Sequence, residues 1–584
     1  MIEELFTNLH RPGQYLGNEW NAAKNDFDGA SVKFALGFPD LYEVGMSNLG
    51  LRIIYGILNA IPGVACERFF APEADMEASL RAAKKRLFSW ESNHDLADFD
   101  FMGFSLGSEL CYTNVLGILD LAGLPLEASA RDSRYPLVIG GGPCALNPEP
   151  LADFFDLFVI GEGEEAAAEL AGLYVKHKEG YRSGRISKED LLFMMSGIEG
   201  VYAPSLYEAD CRVPGGAVSF FPRVPGLPLK IKKRFVKDLN SLYFPCRWIV
   251  PYVQTVHDRV NLEVMRGCPN RCRFCQARSQ YYPLRLRSKE KVVSLADLAY
   301  AASGYEEMSL AGLSVGDYPG IENLVSELTG NFNRLGVNLS LPSLKAKSLI
   351  GNLSRLIAKT KKTGLTFAPE AGTPRLRDVL AKDFSEEEFF TAAAEAYRAG
   401  YQHLKLYFLI GLPGETEEDL RGIIDFAHAA SELKKKAGAG SAAQINISVN
   451  PLIPKPHTPL QWYGMEPLEE IRKKQDYLRG YCKNRKLRLN FHDLRMAFLE
   501  GVFCRGDRLL GKVILGAYKK GARFDAWGDH FSFEKWLEAF SEAGVSPESY
   551  LGLKPQDEAL PWDFIDIGIG RDTLACEFNK TIAR

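Results

Sequence analysis

The run Arg266-Gly267-Cys268-Pro269-Asn270-Arg271-Cys272-Arg273-Phe274-Cys275 gathers three thiols within eight residues. Thiolates are soft ligands that select zinc, copper or iron–sulfur clusters. A structural zinc ion wants four ligands, usually as two separated pairs, and no second cysteine pair follows downstream. His257 could complete a zinc set, so that alternative stays open on residue types alone. Three thiolates suit a [4Fe–4S] cube with one iron left without a protein ligand, a position where a small molecule can bind. The other eight cysteines are scattered and read as small buried apolar residues in a reducing compartment.

Such a loop has to be held by a large folded frame, and the composition supplies one. The chain has 584 residues, 70 Lys+Arg against 74 Asp+Glu (net charge −4), and 46% hydrophobic residues. These values exclude a small disulfide-stapled module, a generally basic nucleic-acid coat and a disordered chain, and the length suggests three or four domains. No apolar stretch reaches the roughly 18 residues of a membrane span, and the start, MIEELFTNLHRPGQ, is acidic and polar where a signal peptide is basic and then apolar. A cytoplasmic protein with no membrane partner is expected.

The pattern predicts an α/β fold. Residues 1–180 alternate β-rich runs at 33–38, 64–69, 99–106, 135–140 and 156–160 with helical stretches, the mark of a doubly wound, Rossmann-like parallel sheet. Glycines follow the strand ends, where such sheets bind ligands. Residues 181–245, rich in Gly, Pro and mixed charge, read as a connecting segment with some local structure. Residues 246–460 hold a second series, with strands at 261–266, 307–313, 337–342, 364–369, 403–410 and 444–450, which predicts a partial (β/α)6 barrel with its chemistry at the carboxyl ends of the strands. Residues 461–584 read as a mainly helical region. Within it, residues 467–523 carry fifteen Lys/Arg against six Asp/Glu, which suits an anionic partner such as RNA or a ribosome-associated polyanion, or else a solvated helix face.

The spacing C-x-x-x-C-x-x-C, with Phe274 just before the third cysteine, resembles the signature of the radical S-adenosylmethionine (radical SAM) superfamily. The resemblance implies that Cys268, Cys272 and Cys275 bind a [4Fe–4S] cluster, that S-adenosylmethionine docks at the open iron with Phe274 near the adenine, and that one electron from the cluster yields a 5′-deoxyadenosyl radical. Ala311 to Tyr318 occupies the place of the family's Gly-Gly-Glu motif but departs from it, leaving Gly312 and Asp317 as the residues carried over. Pro369-Glu370-Ala371-Gly372-Thr373 is similar to the family's turn toward the ribose or carboxylate, with Glu370 the polar contact. Ile410-Gly411-Leu412-Pro413-Gly414-Glu415-Thr416 is similar to the turn where Gly411 and Gly414 let the adenine approach the backbone, Glu415 capping the next helix. Lys405 and Asn446 lie on strands whose inward face alternation alone does not fix. A primary carbon radical attacks almost any C–H bond, so enclosure outranks acid–base groups. No catalytic side chain is therefore assigned, and His257, His403, His457 and His492 are read as structural.

A doubly wound domain ahead of such a barrel resembles the cobalamin-binding group of the superfamily. Where that group often carries D-x-H-x-x-G, this sequence reads Asp40-Leu41-Tyr42-Glu43-Val44-Gly45. Tyr42 replaces the histidine, and a neutral phenol is a poor cobalt ligand. Ser105, Gly140 and Gly141 match positions that pack against the cobalamin nucleotide tail, and the run Asp156 to Glu164 is also typical. The resemblance thus implies cobalamin held without a protein ligand beneath the metal; an architectural domain without the corrin is the alternative. Lys455-Pro456-His457-Thr458-Pro459-Leu460-Gln461-Trp462 also resembles the barrel exit of methylthiotransferases acting on tRNA and ribosomal protein. The expected function is reductive cleavage of S-adenosylmethionine, with methyl transfer to an unactivated carbon if cobalamin binds and an electron donor such as flavodoxin or ferredoxin. The alternatives are cobalamin-free sulfur insertion or rearrangement on RNA or protein, and an iron–sulfur scaffold that binds RNA. Nothing in the resemblance names the substrate.

Overall fold

Six strands organise the first part of the protein, for which a computed structural model describes residues 5–6, 9–211, 213–341 and 365–582. They are β1 (Val32–Phe38), β2 (Val64–Phe70), β3 (Phe101–Ser105), β4 (Leu137–Gly141), β5 (Leu157–Val159) and β6 (Val201–Tyr202), in the order β2-β1-β3-β4-β5-β6. The first five are parallel, and β6 closes the edge antiparallel to β5. Their near-continuous apolar runs follow from helices on both faces: every residue of β2 and β5 is buried. Strand order reverses between β1 and β3, so the carboxyl ends of these two strands flank a crevice.

The connecting segment, 181–245, holds several regular elements. It contains the helix Lys188–Met195, strand β6 of the first sheet, a hairpin of β7 (Tyr207–Asp210) and β8 (Ser219–Pro222), and β9 (Ile231–Lys232). The helix is set by a capping box, in which the Ser187 and Asp190 side chains satisfy each other's backbone N–H groups.

The second series begins with β10 (Val260–Glu263) and β11 (Met265–Arg266), the latter paired antiparallel with β12 (Arg285–Leu286). Strand β10 runs parallel to β13 (Glu307–Ala311), and β13 to β14 (Asn338–Ser340). A second parallel group holds β15 (Leu365–Glu370), β16 (His403–Ile410), β17 (Gln444–Pro451) and β18 (Leu487–Phe491). Residues 342 and 364, at the edges of two expected strands, lie outside the described residues. Burial alternates strictly along β16 and β17. Leu404, Leu406, Phe408, Ile445 and Ile447 pack with Phe389, Ile423 and Phe426 of the flanking helices. Lys405, Tyr407, Asn446 and Ser448 therefore share the opposite, half-buried face, which settles the direction of Lys405 and Asn446.

Residues 461–584 are mainly helical, and within them strand β18 carries the parallel sheet past residue 460. Part of the basic charge is also paired within the fold. Arg472, Lys473, Lys474, Arg479, Arg495, Arg508 and Lys520 each pair with a carboxylate. Arg505 is buried against the carbonyls of Gln461, Tyr463, Tyr550 and Gly552. Among the described residues no helix is long and apolar enough to cross a membrane.

Candidate functional site

The cysteine loop leaves β11 at a glycine that the geometry requires. Gly267 has φ +92°, and a Cβ there would lie 2.8 Å from Leu284 Cα. Cys268, Cys272 and Cys275 follow, all half-buried, with the Cys275 amide donating to Cys272 O (3.3 Å) and the short helix Gln276–Gln280 starting directly after. Burial pushes the Cys272 thiol up to about 11 and raises that of Cys275, and neighbouring sulfurs add to both rises. The loop offers three separate soft donors, a set that fits a cluster with an open iron.

Neighbouring elements hold this loop from several sides. Asn270 donates to Cys268 Sγ (3.3 Å) and to Asp317 Oδ2 (3.1 Å), and the Ser314 hydroxyl donates to the same Asp317 oxygen (2.6 Å). Asp317 thus ties the turn after β13 to the loop. Gly312, at the start of that turn, sits where a Cβ would meet Met265 Cγ at 2.6 Å. Arg273 is buried, its guanidinium bound to Glu577 (3.0 Å) on the helix Arg571–Ile582 and to Val379 O (2.8 Å). The buried Lys233 ammonium donates to the carbonyls of Ser279 (2.8 Å), Gln280 (2.9 Å) and Tyr282 (2.8 Å), fixing the end of the short helix.

The other expected residues of the barrel converge on the same end of the sheet. Phe274 packs against a cluster that includes Ala371 and Leu412, one from each of the turns after β15 and β16. Glu370 has φ +68°, at a point where the β15–β16 register shifts. A left-handed non-glycine residue costs about 1–2 kcal/mol, and such strain concentrates at functional sites. Its carboxylate meets Lys382 Nζ at 3.2 Å, and burial raises its pKa. Gly411 and Gly414 both have positive φ (+79° and +68°). Glu415 does not cap the next helix, as its position suggested: Thr416 and Asp419 form the capping box, and Glu415 accepts from the Gly411 amide (2.9 Å) and pairs with Lys474 (2.7 Å). That leaves Glu415 bracing the Gly411 turn.

Above the first sheet lies a cavity of about 800 Å³. It is lined on one side by Phe34, Leu36, Phe38, Asp40, Ser105, Gly140 and Gly141, and on the other by Met265, Arg266, Gly267, Tyr281 and Ala311–Leu313, so it runs from the β1/β3 crevice to the foot of the cysteine loop. Gly141 faces open space, its nearest neighbour to a Cβ being Val159 O at 3.9 Å. Asp40 accepts hydrogen bonds from Leu41 N (2.7 Å) and Trp527 Nε1 (2.9 Å), and burial raises its pKa. Two of the expected cofactor residues point elsewhere. Tyr42 is buried with its hydroxyl on Glu19 (2.7 Å), which also pairs with Arg68 (2.7 Å), and its ring packs on Phe70. Gly45 is a packing glycine, since a Cβ would strike Phe70 at 2.4 Å.

A buried ionic network joins the cavity wall to the cysteine loop. Arg266 pairs with Glu164 (2.6 Å), Glu162 (3.0 Å) and Glu263 (3.0 Å), and Arg285 with Glu162 (2.7 Å), every side chain being 12% exposed or less. Burial alone would raise Glu162, but hydrogen bonds from Arg285 and the Arg266 charge outweigh it and hold the carboxyl below its usual range. Glu164, buried against Arg266 and near Glu162, is raised.

Two family descriptions match the chain: Radical SAM proteins, N-terminal, over residues 50–204, and Radical SAM superfamily, over residues 262–427. The protein named Uncharacterized protein MJ0966 of Methanocaldococcus jannaschii is 30% identical over 88% of this chain and 97% of its own length. The chain belongs to the radical SAM superfamily. An Uncharacterized methyltransferase, PH0819, of Pyrococcus horikoshii is 24% identical to this radical SAM protein over 57% of the chain and 70% of its own. Among solved structures, the radical SAM methyltransferase TsrM from Kitasatospora setae, with cobalamin and a [4Fe-4S] cluster bound, superposes with a TM-score of 0.47 at 15% identity, over 71% of this chain and 74% of that one.

Sequence reasoning missed Tyr407 and Ser448 on the half-buried face of β16 and β17, although their alternation with buried Leu406, Phe408, Ile447 and Val449 is legible once the flanking helices are placed. It also missed Arg266 and Arg285 as partners of the first domain. No local pattern announces pairs more than 100 residues apart.

Replacing Cys268, Cys272 or Cys275 singly by Ser is expected to cut the iron retained after anaerobic reconstitution to background, measured by iron and sulfide analysis, while far-UV circular dichroism stays unchanged. His457 gives a pH test. It is buried with Nε2 donating to Leu146 O (3.0 Å), and burial pulls its pKa down to about 4. The folded pKa lies below the unfolded one, so the neutral ring contributes fully above pH 6.5 and that contribution falls as pH drops toward 4, by roughly 2 kcal/mol at pH 5. His457→Gln should flatten that part of the stability curve in urea titrations.

Proposed function

We propose that this radical SAM enzyme cleaves S-adenosylmethionine at a [4Fe–4S] cluster held by Cys268, Cys272 and Cys275, and that a corrin in the large cavity makes the outcome methyl transfer to an unactivated carbon. The observation that carries the second half is the continuity of the cavity from the glycine-lined edge of the first sheet to the foot of the cysteine loop. Its roughly 800 Å³ lies toward the upper end of the range of small-molecule and cofactor sites. Bound, the cluster supplies the single electron that splits S-adenosylmethionine into methionine and a 5′-deoxyadenosyl radical, and the corrin supplies a methyl carrier.

The chain's own residues bind, orient and exclude water. Phe34, Leu36, Phe38 and Met265 keep the cavity wall apolar, and Gly141 leaves room for a ligand at the sheet edge. Tyr42, committed to Glu19, does not line the cavity, and a corrin there would be held by the other wall residues. Asp40, Asn48, Ser105 and Ser108 are among the polar groups on that wall. On the barrel side, Phe274 with the Gly411 and Gly414 turns offers an apolar seat for an adenine, and Glu370 beside Lys382 a polar one for the ribose or carboxylate. Lys405, Tyr407, Asn446 and Ser448 form the polar surface against which a substrate would be placed.

Anaerobic reconstitution with iron, sulfide and hydroxocobalamin is expected to give protein that retains both iron and stoichiometric corrin and forms 5′-deoxyadenosine with dithionite. Gly141→Leu should lose corrin but keep iron, and Tyr42→Phe should keep both. Wild-type protein that holds the cluster yet releases all corrin would remove the methyl-transfer reading and leave the superfamily membership standing.

A further inference from the structure

A second cavity, of about 750 Å³, lies on the opposite side of the helix Leu49–Asn59 from the first. Leu51, Ile53 and Ile54 of that helix line the first cavity, and Arg52, Tyr55, Gly56 and Asn59 line the second. Its other walls come from residues 18–25 and from the stretch 243–252 ahead of the barrel.

The charge on these walls is unbalanced. Lys24, Arg52 and Arg247 all line the cavity, and none has a carboxylate within ion-pair distance among the described residues. The lone lining carboxylate among them, Glu19, is taken up by Arg68 (2.7 Å) and by the Tyr42 hydroxyl (2.7 Å). Arg52 is 5% exposed, donates to Met46 O (2.8 Å) and Ile249 O (2.9 Å), and lies 4.6 Å from the Trp248 ring centroid. Burial without a counter-ion brings its guanidinium down to about 10. A buried cation lacking an anionic partner is costly, and a bound anion offsets the cost. Lys24 and Arg247 are exposed at the rim, where a phosphate can be met without desolvating the whole ligand.

Aromatic rings surround the same opening. Trp20 is 68% exposed, Tyr252 57% and Tyr243 38%. Trp20 Nε1 is bonded to Ala302 O and the Tyr252 hydroxyl to Asn18 O, which holds these two exposed rings in place, while Tyr243 packs its ring against Gly56. Rigid aromatic faces beside unpaired cations are the combination that takes a planar base together with its phosphate.

We propose that this cavity is a nucleotide-binding site, with the phosphate on Lys24, Arg247 and Arg52 and the base stacked on the exposed aromatic rings. A free nucleotide and a nucleotide within single-stranded RNA share this chemistry, and the site is independent of the corrin reading.

The test uses the full-length reconstituted protein with three probes: AMP, inorganic phosphate and a ten-nucleotide single-stranded RNA, each titrated by calorimetry at two salt concentrations. AMP or the RNA should bind more tightly than phosphate. The Lys24→Glu/Arg247→Glu double variant should weaken that binding about tenfold or more and make its salt dependence shallower, and Trp20→Ala should weaken it about fivefold or more. All three positions are exposed, so circular dichroism and iron content should match the wild type. Tighter binding of RNA than of AMP, with a steep salt slope, identifies the strand as the source; binding of AMP alone identifies the free nucleotide. Absence of binding by both, phosphate binding as tightly as AMP, or affinity unchanged in both variants would each overturn the proposal.

Discussion

The cysteine loop depends on a charge balance that neither domain possesses alone. Arg266 stands two residues before Cys268, and its guanidinium is buried among Glu162 and Glu164 of the first domain and Glu263 of the barrel. Taking such charges out of water costs several kcal/mol each, and only close pairing with hydrogen bonds offsets it. Removing one partner leaves an uncompensated charge at a cost of about 3–5 kcal/mol. Position follows from that asymmetry: the loop cannot drift without breaking bonds that water is not present to replace. Since Glu162 and Glu164 also line the large cavity, the wall of one chamber and the anchor of the sulfur ligands are the same residues.

The first sheet was legible because strands buried on both faces read as unbroken apolar runs, as in residues 34–38 and 101–104. Strand β6 was not, since two residues carry no pattern. Strand β18 was obscured differently. Leu487-Arg488-Leu489-Asn490-Phe491 alternates as a strand should, but it follows the charges of Lys483, Arg485 and Lys486, and the charge excess drew the reading toward an exposed helix. In the fold those residues precede an edge strand, where charged groups discourage pairing with another chain.

At the site, the spacing of the three cysteines and the glycine turns identified one end of the barrel, because backbone needs such as positive φ are written locally. Side-chain direction was not. Tyr42 occupies a position that invites a metal-ligand reading, yet Glu19 and Arg68, distant in sequence, turn it into the core. Thr416-x-x-Asp419 was a readable capping box, and missing it gave Glu415 the wrong task. The second cavity is assembled from three separated segments and has no linear signature at all.

Arg273, between the second and third cysteines, finds its carboxylate in Glu577, 304 residues further along the chain. During synthesis the sulfur donors therefore emerge from the ribosome long before the group that neutralises their neighbour does. Domains tend to fold as they are made, but this loop reaches its final electrostatic state only when the chain through Glu577 is free to dock. The Arg273 charge inside the cysteine loop thus gains its counter-ion only once the helix Arg571–Ile582 has docked.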